Sequence, residues 1–498
     1  MPRSKSSPSL RRLCLVSVAK NIDYWCDDFV QNFNDQKLLY VIGPFDCLPQ
    51  SLIHDLSTIM KEMKIIRRSH LMLLIHPETD KLDLSRSSYN EIPVPFALNL
   101  VGRICKNLKH LNLSFCDKIS PHVLIETAAS LPHIVSLNLR SSGCTDAVLA
   151  ALGGHCPQLR SLDVSWCPVT DDGISSLCIN MDDIENAENS RCLKINSLLV
   201  IGTNITDRGA MIAIKHLPYL RVFEYPNNCR SLELLYGDAD SDWSAVHPLE
   251  TLYYDCEPHS FVAQQTIEMA VITCPNVNKV CLTNSNMSDQ ILLLLSNFSH
   301  LSDLSLGNGP LSSLSFNGVS TLLRLKGNHL TTLVLVEIPQ VDVNVIGQCC
   351  PCLQHIELLF IAGYESPESD VCTVRTPFEQ LRIIRIVCTE EYDIPGKQLL
   401  TLLAHCPNLH DVFLQRCQTL TDSLLNDALN SNTLPNLTLV ELEYCNTLTV
   451  ASVMSLFSLD NPLNSLKMWW CRGITRADYS FLKDLVMQEN LDTTVEWR

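Results

Sequence analysis

The sequence predicts an α/β solenoid, a chain in which one short strand and one helix alternate many times. Two observations lead to this prediction: the pattern within residues 159–178 and its recurrence along the chain. Residues 159–178 read LRSLDVSWCPVTDDGISSLC, and their first six letters alternate like a strand with one buried face. After Pro168, Thr170 and Asp171 favour the start of a helix, and Ile174 begins its apolar stripe. Because a unit of about 25 residues cannot bury its own apolar face, it requires a neighbouring copy on each side.

Copies of this unit recur in register along most of the chain. We number the positions of LxxLxLxxC from 1 to 9, so that Leu159, Leu162, Val164 and Cys167 occupy positions 1, 4, 6 and 9. Clear copies start at Leu108, Ile134, Leu159, Ile195, Leu409, Leu437 and Leu463, and weaker copies start at Leu220, Leu249, Val277, Leu301, Leu330, Leu353 and Leu381. The steps between neighbouring starts are mostly 23 to 29 residues, which is a spacing typical of solenoid repeats.

Two dipeptides accompany the recurrence at fixed places. Thr-Asp occurs at residues 145–146, 170–171, 206–207 and 421–422, and Cys-Pro occurs at residues 156–157, 274–275, 350–351 and 406–407. From about residue 79 to the C-terminus, the pattern resembles the leucine-rich repeat in its cysteine-containing subtype. The resemblance implies a curved leucine-rich-repeat solenoid of about 15 repeats over residues 71–498, with a parallel sheet on its concave side and helices on its convex side. The segment KLDLS, which starts at Lys81, is predicted to be the first strand.

Composition limits the class of function. The 498 residues carry a formal net charge of −17, which argues against a nucleic-acid partner because phosphate binding requires a basic surface. The 23 cysteines lie largely at repeat positions, where we expect buried, reduced thiols. The sequence has no convincing signal peptide and no apolar run of transmembrane length. We therefore expect a protein of the cytoplasm or nucleus, with no membrane attachment.

A short amphipathic helix is predicted at the N-terminus, after residues 1–7, which we expect to be disordered. Within SLRRLCLVSV, four residues fit the pattern of a small residue, Leu, Cys and an aliphatic residue, namely Ser9, Leu10, Cys14 and Val18. This pattern resembles the BC box, through which substrate receptors bind elongin C. In that family the Leu enters an apolar pocket on the adaptor and the Cys packs beside it. The resemblance implies these roles for Leu10 and Cys14.

A second segment, LPQSLIHDL, follows some 30 residues later. Its residues Leu48, Pro49, Leu52 and Leu56 fit the apolar-Pro-x-x-apolar-x-x-x-apolar pattern of a cullin-2 box. Together the two segments resemble a VHL box, and with repeats behind them they resemble the Zyg-type receptors of cullin-2 ligases. The resemblance implies that residues 8–70 bind elongin C/B and cullin-2, and that the repeats bind a protein substrate. Zyg-type receptors also carry an armadillo-like domain that reads an N-terminal glycine, and the repeats here leave no stretch that matches it.

Two other interpretations stay open. The letters LPQSLIHDLSTIM also resemble the opening of an F-box, which likewise precedes cysteine-type leucine-rich repeats and binds the Skp-type adaptors of cullin-1 ligases. An F-box needs a longer helical bundle after its Leu-Pro, whereas residues 60–78 contain a basic stretch and then the entry into the first repeat. The other interpretation, of a different class, is a leucine-rich-repeat scaffold or inhibitor with no role in a ligase.

The sequence offers no catalytic motif. It lacks a phosphate-binding glycine loop, GxSxG and His-Glu-x-x-His. The segment CCPCLQH, from Cys349 to His355, has zinc-like spacing, but successive side chains of a strand point to opposite faces and would not converge on one ion. We expect an interaction protein without enzymatic activity, cofactor or metal.

Large side chains at position 8 are the predicted substrate contacts. Position 8 holds Phe115, Trp166, Arg416, Tyr444 and Trp470, and Trp469 adds position 7 of the last of these repeats. Several aromatic side chains in one column suggest a binding surface, since exposing them to water is unfavourable. The alternative is that neighbouring repeats bury each ring against the next. The late members come from three consecutive repeats, and we expect them to form one patch that contacts the substrate.

Overall fold

The computed structural model describes the chain as two compact units. The described residues are Pro2, Phe45 and Cys192, together with residues 9–25, 48–85, 94–179, 194–237, 243–255, 261–309, 311–365, 377–458 and 461–498. The N-terminal unit spans Pro8–Leu249, and the C-terminal unit spans Glu250–Arg498. The disorder predicted for residues 1–7 concerns residues outside the described part, Pro2 excepted. None of the helices in the described ranges has both the length and the apolar character needed to cross a bilayer.

The N-terminal unit begins with helices and continues as strand–helix repeats. Its first helices are α1 (Leu10–Lys20), α2 (Gln50–Glu62) and α3 (Arg68–Leu74). Its sheet is formed by the three-residue strands β1 (Lys81–Asp83), β2 (His110–Asn112), β3 (Ser136–Asn138), β4 (Ser161–Asp163), β5 (Ser197–Leu199) and β6 (Val222–Glu224). The alternating helices are α4 (Val94–Ile104), α5 (Pro121–Ser130), α6 (Asp146–His155), α7 (Asp171–Cys178), α8 (Asp207–His216) and α9 (Asn228–Tyr236). Each strand pairs in parallel with the next along the chain, so that sheet order follows sequence order.

The C-terminal unit repeats this plan with longer strands. Its ten-stranded parallel sheet contains β7 (Thr251–Asp255), β8 (Lys279–Ser285), β9 (Asp303–Asn308), β10 (Thr332–Val336), β11 (His355–Leu359), β12 (Ile383–Val387), β13 (Asp411–Gln415), β14 (Leu439–Glu443), β15 (Ser465–Trp469) and β16 (Thr494–Trp497). Its helices are α10 (Gln264–Thr273), α11 (Asp289–Leu293), α12 (Phe316–Lys326), α13 (Val343–Cys349), α14 (Gly396–Ala404), α15 (Asp422–Ser431), α16 (Val450–Ser458) and α17 (Arg476–Gln488). Two 3-10 helices extend α11 and α12, at Leu294–Asn297 and Gly327–His329.

The repeat positions chosen from the sequence form the core of each unit. Leu162 and Val164, at positions 4 and 6, are fully buried, and so are Leu414 and Leu442 in the C-terminal unit. Alternate side chains of a strand point to one face, so the leucines at positions 4 and 6 enter the layer between sheet and helices. The predicted α/β leucine-rich-repeat architecture is confirmed in each unit, and KLDLS does form the first strand.

Cysteine at position 9 bonds to the backbone of the preceding repeat. The Cys167 thiol donates to the Leu139 carbonyl over 3.0 Å, and the Cys471 thiol donates to the Leu442 carbonyl over 3.5 Å. Both carbonyls belong to position 6, so the thiol joins neighbouring repeats as a small, weakly polar group. Among the described cysteines only Cys14 and Cys352 are exposed, and the predicted burial of most thiols is confirmed.

The recurrent Thr-Asp pair also joins neighbouring repeats. Asp146, at the start of α6, accepts the Thr170 backbone N–H over 2.8 Å and the Thr170 hydroxyl over 2.7 Å, one repeat later. A Cβ on Gly173 would lie 2.2 Å from the Asp146 carboxylate, so the close approach requires glycine there. We call this contact the aspartate staple. It occurs at Asp146–Thr170, Asp171–Thr206, Asp289–Ser315 and Asp422–Thr449.

Candidate functional site

Helix α1 presents an apolar face to solvent. Ser9 caps the helix, because its hydroxyl accepts the Arg12 backbone N–H over 3.2 Å. Leu10 is 78% exposed, and Leu13 and Cys14 are exposed beside it at the i+3 and i+4 positions of the same face. Val18, two turns further on, is half-buried. The sequence-predicted residues Leu10 and Cys14 are therefore accessible, and Leu13 joins them.

The opposite side of α1 is attached to α2. Ala19 of α1 and Ile22 just after it are fully buried. Arg11 pairs with Asp55 over 2.5 Å, and Arg12 pairs with Glu62 over 2.7 Å. Both pairs are exposed and contribute at most about 1 kcal/mol each, so the burial of Ala19 and Ile22 is expected to hold α1 more strongly than the ion pairs do. The exposed leucine face consequently points away from α2.

The second predicted box divides between surface and core. Pro49, which precedes α2 at its N-cap, is exposed, and Leu48 and Leu52 are half-buried. Leu56 is only 1% exposed and packs inward with Ile53 on the buried side of α2. Leu56 is therefore a core residue, and its assignment as an adaptor contact is wrong. Sequence spacing could not distinguish these roles, because a helix that packs on a sheet uses the same leucine periodicity.

A cavity that the sequence did not indicate lies between α2 and the sheet of the N-terminal unit. Its volume is about 310 Å³. Lys61 of α2 reaches Asp83 of β1 over 3.0 Å at its wall. Burial opposes ionisation of Asp83, but hydrogen bonds from Ser85 and Lys61 outweigh it and hold the pKa of this carboxyl below its usual range. Polar lining residues include Gln50, His54, Thr58, His110, Asn112 and Asn138. No local pattern could have revealed this cavity, because it exists only where α2 meets strands that are distant in sequence.

Position 8 has a left-handed backbone in the repeats that carry the predicted substrate contacts. The φ angles are +62° at Phe115, +61° at Trp166, +59° at Arg416, and +54° at both Tyr444 and Trp470. Non-glycine residues rarely adopt this region and lose about 1 kcal/mol there. Each of these residues lies just beyond the carboxyl end of its strand. The sequence identified the column but gave no signal for this conformation.

The N-terminal members of the column are isolated from each other. Phe115 is 47% exposed and Trp166 is 57% exposed. Ser141 occupies position 8 in the repeat between them, so a small side chain separates the two rings. Trp166 instead covers the backbone of Gly202, where an added Cβ would lie 2.7 Å from the indole.

The C-terminal members form one stack, which we call the C-terminal cluster (Arg416, Tyr444, Trp469 and Trp470). The Arg416 guanidinium lies 5.5 Å from the Tyr444 ring centroid, and the Tyr444 and Trp470 rings stack at 5.1 Å with an interplanar angle of 15°. Trp469 meets Trp470 edge-on at 6.3 Å. Trp470 is still 45% exposed, so stacking covers one side of the ring and leaves the other to solvent. The rings are therefore partly packed against the neighbouring repeat and partly exposed, so each of the two sequence interpretations, burial and a binding surface, describes part of the arrangement.

Two cationic side chains lie close to the Trp469 ring of the C-terminal cluster. The Lys467 ammonium and the Arg498 guanidinium each lie 5.4 Å from the Trp469 ring centroid. The Trp469 indole N–H is buried and makes no hydrogen bond among the described residues. An unpaired buried donor is unfavourable and uncommon in folded proteins. The cluster thus combines exposed aromatic surface, cations and an unused donor.

Comparison with known families supports the repeat fold. The family model described as "Leucine Rich repeat" matches residues 105–121 and 155–178. These ranges contain β2 and the helix α7 with its preceding strand β4, which are regular repeats of the N-terminal unit. This match, with the parallel sheet and alternating helices of each unit, supports the α/β leucine-rich-repeat fold.

Curated relatives are similar over parts of their length. The chain is 22% identical to the BTB/POZ domain-containing protein FBL11 of Arabidopsis thaliana over 352 residues, which cover 69% of this chain and 36% of the relative. It is 26% identical to F-box/LRR-repeat protein 17 of Arabidopsis thaliana over 145 residues, 29% of this chain and 23% of the relative. It is also 26% identical to F-box/LRR-repeat protein 4 of Bos taurus over 158 residues, 26% of this chain and 25% of the relative. The matches thus span about a third or less of these relatives.

Solved structures with a similar course of the chain share little sequence. A chain from the crystal structure of the Rad7 and Elc1 complex in yeast is 15% identical, with a TM-score of 0.47 over 95% of this chain and 96% of that one. The LRR protein LIC12759 of Leptospira interrogans is 14% identical, with a TM-score of 0.38 over 87% of this chain and 92% of that one.

Proposed function

We propose that this chain is a non-catalytic substrate receptor of a cullin-RING ubiquitin ligase. In this proposal α1 binds an adaptor of the elongin C type, and the repeats hold a protein substrate close to the ligase. The single observation that supports it most is the exposed Leu10–Leu13–Cys14 face on a helix attached directly to a repeat domain. The contribution to ubiquitin transfer would be proximity, which raises the effective concentration of the substrate.

The chemistry of α1 suits an anchor helix. A few apolar residues that enter a partner pocket carry most of the energy of such interfaces. Leu10 can enter a partner pocket because its side chain is largely exposed, while the neighbouring Arg11 and Arg12 make the ion pairs to α2. Pro49 and Leu48 lie at the start of the adjoining helix and would extend the surface towards cullin-2. Val18 and Leu52, being half-buried, would border this surface.

A second candidate keeps the ligase role but changes the adaptor. Two of the relatives are named as F-box/LRR-repeat proteins, and this favours a Skp-type adaptor and cullin-1. In that case the segment around Leu48-Pro49, and not Leu10, would carry the adaptor contact. The two candidates therefore differ in which residue is essential.

The substrate surface proposed here is the C-terminal cluster. Its exposed indole, stacked Tyr444 and flanking Arg416 offer a large rigid contact area at low cost in side-chain entropy. Tyr, Trp and Arg are the residue types enriched among energetically dominant contacts. Phe115 and Trp166 are separated from each other and would contribute individual contacts at most.

A paired binding experiment tests the adaptor. The full-length protein and its Leu10→Ser variant are each incubated with purified elongin B/C and, separately, with a purified Skp–cullin-1 N-terminal complex. We expect elongin B/C to bind the unchanged protein and to be lost from Leu10→Ser. Leu325→Ser is the matched control, since Leu325 is 60% exposed on α12 and lies outside the proposed surface.

The outcomes separate the interpretations. Loss of elongin binding in Leu10→Ser with retention in Leu325→Ser, at equal melting temperatures, supports the elongin adaptor. Binding of Skp that depends on Leu48 and Pro49 would support the F-box-like receptor instead. A protein that binds neither adaptor would be a repeat scaffold or inhibitor, and the ligase proposal would fail.

A further inference from the structure

Two buried thiols and a carboxylate converge in the C-terminal unit. Cys388 follows β12 and Cys417 follows β13, on neighbouring repeats, and their sulfur atoms lie 3.5 Å apart. The Asp393 carboxylate completes a group whose potential ligand atoms all lie within 4.8 Å of one another. The spacing of these residues, 388, 393 and 417, matches no sequence motif for a metal, which is why the sequence predicted none.

Cys388 occupies an exceptional position in its repeat. It stands at position 8 of the repeat that starts at Leu381, where Arg416 and Tyr444 of the following repeats have a left-handed backbone and exposed or half-buried side chains. Cys388 has no positive φ and is only 2% exposed. Its backbone N–H donates to the Gln415 carbonyl over 3.0 Å, which holds it against the next strand. The turn therefore directs this one position-8 side chain inward, onto Cys417.

The carboxylate of Asp393 is held in a fixed orientation. One oxygen accepts the Ile394 backbone N–H over 2.8 Å, and the other accepts the Thr419 backbone N–H over 2.7 Å. A carboxylate has about four acceptor sites, so each oxygen keeps a lone pair for another partner. Hydrogen bonds of this kind, made to the ligand by the surrounding backbone, are a regular feature of metal sites.

A polar group with no partner faces the same cluster. The Tyr364 hydroxyl is buried and makes no hydrogen bond among the described residues. Cys388, Cys417 and Asp393 all lie close enough to Tyr364 to act on its hydroxyl electrostatically. Orphaned buried polar groups are uncommon in native proteins and require an explanation. A bound ion with a water ligand would supply the missing partner.

We propose that Cys388, Cys417 and Asp393 bind a zinc ion, with a water molecule in the fourth position held by the Tyr364 hydroxyl. With zinc–sulfur bonds of about 2.3 Å, a tetrahedral site places two sulfur atoms about 3.8 Å apart, close to the 3.5 Å found here. Binding requires thiolates, so each zinc ion that binds displaces two thiol protons into solvent. The ion would join neighbouring repeats at the place where Cys388 departs from the regular pattern.

Cobalt substitution tests the site directly. The full-length protein is freed of metal with a chelator under reducing conditions and titrated with Co²⁺, then with Zn²⁺. We expect one equivalent of Co²⁺ to give a thiolate-to-metal charge-transfer band, which one equivalent of Zn²⁺ abolishes. Cys388→Ser and Cys417→Ser should lose the band, and Tyr364→Phe should weaken Zn²⁺ binding about tenfold or more, as loss of a supporting hydrogen bond does elsewhere.

The control is a second pair of neighbouring buried thiols, Cys144 and Cys167 in the N-terminal unit, which among the described residues does not belong to a comparably compact group of three potential ligands. Cys167→Ser removes a comparable buried thiol and should leave the band intact. The proposal fails if no thiolate band forms at one equivalent. It also fails if the Cys388→Ser Cys417→Ser double variant keeps the band, or if the native protein carries a disulfide between these two cysteines. Tyr364→Phe reports on the site even if a cysteine variant does not fold.

Discussion

The two units follow the same repeat plan but differ in the length of their strands. Strands β1–β6 have three residues each, and strands β10–β15 have five. In four of the N-terminal strands, one cause lies at position 5. In the N-terminal unit Asp83, Asn112, Asn138 and Asp163 each accept, over 2.9 to 3.0 Å, the backbone N–H of the residue two places on. This side-chain turn occupies the backbone N–H at position 7. In a longer strand the same N–H would be available to bond to the neighbouring strand. β5 and β6 are short without such a residue, so the turn accounts for four of the six short strands.

In the C-terminal unit position 5 holds side chains that cannot fold back in this way. Phe413, Glu441 and Lys467 occupy it on β13, β14 and β15, and Glu441 pairs with Lys467 across strands over 3.1 Å. The ladder continues to position 7, which places Trp469 at the end of β15 beside Trp470. The N-terminal sheet thus engages polar side chains with its own backbone, whereas the C-terminal sheet carries larger side chains at the same position. This difference is consistent with the proposal that the C-terminal unit binds the substrate.

The largest expected effect concerns a feature that both units share, the aspartate staple. Asp146→Ala removes two hydrogen bonds to Thr170 and should cost about 1–2 kcal/mol of local stability. The measurement is amide hydrogen exchange of α7, which should lose protection by about one order of magnitude. Asp172→Ala is the control, because Asp172 lies in the first turn of α7 itself, is exposed and makes no staple. Equal loss in both variants would assign the effect to the helix terminus.

Acidification tests the same staple in the C-terminal unit. Burial raises the pKa of Asp422, but hydrogen bonds from Ser452 and Thr449 outweigh it, so the folded-state pKa lies below the usual value. A group with a lowered pKa stabilises the fold above its unfolded pKa, about 3.9, and loses this contribution as the pH falls through the folded value. Protection of α16 should therefore be constant near neutrality and decline below about pH 4. In Asp422→Asn that decline should be smaller.

How much the sequence could predict depends on how far each feature reaches along the chain. The burial of Leu162 and Leu442 follows from their repeat positions, 4 and 6, because strand alternation and repeat spacing are local patterns. Whether Leu56 is buried or exposed depends on what α2 packs against. A buried helix and a partner-binding helix can have the same spacing of leucines, so the sequence does not distinguish them. The convergence of Cys388 with Asp393 depends on a backbone turn that differs between repeats, for which residue types give no signal.

A smaller effect should follow when the N-terminal turn is removed. Asn138→Leu leaves the Arg140 backbone N–H without the acceptor that it has over 2.9 Å, at a cost of about 1 kcal/mol. Faster exchange of the Arg140 amide, with little change in β4, is the expected result. Ser136→Leu provides the comparison, since it introduces the same side chain on the same strand without touching the turn. If both variants accelerate Arg140 equally, the turn does not set the strand length.

The smallest effect on stability, and the clearest difference between the units, is expected from the aromatic rings. Trp470→Ala removes a ring that is about half exposed and stacked on Tyr444, so the loss should be about 1 kcal/mol or less and the melting temperature should fall by a few degrees at most. Trp166→Ala removes a ring of similar exposure in the N-terminal unit and is the matched control. Proteins captured by the unchanged chain should be lost from Trp470→Ala, and from variants of Tyr444 or Trp469, but kept by Trp166→Ala. The reverse pattern would place the substrate on the N-terminal unit. A large fall in melting temperature with unchanged capture would show that the C-terminal cluster serves the fold, because the rings would then be packed against each other and not presented to a partner.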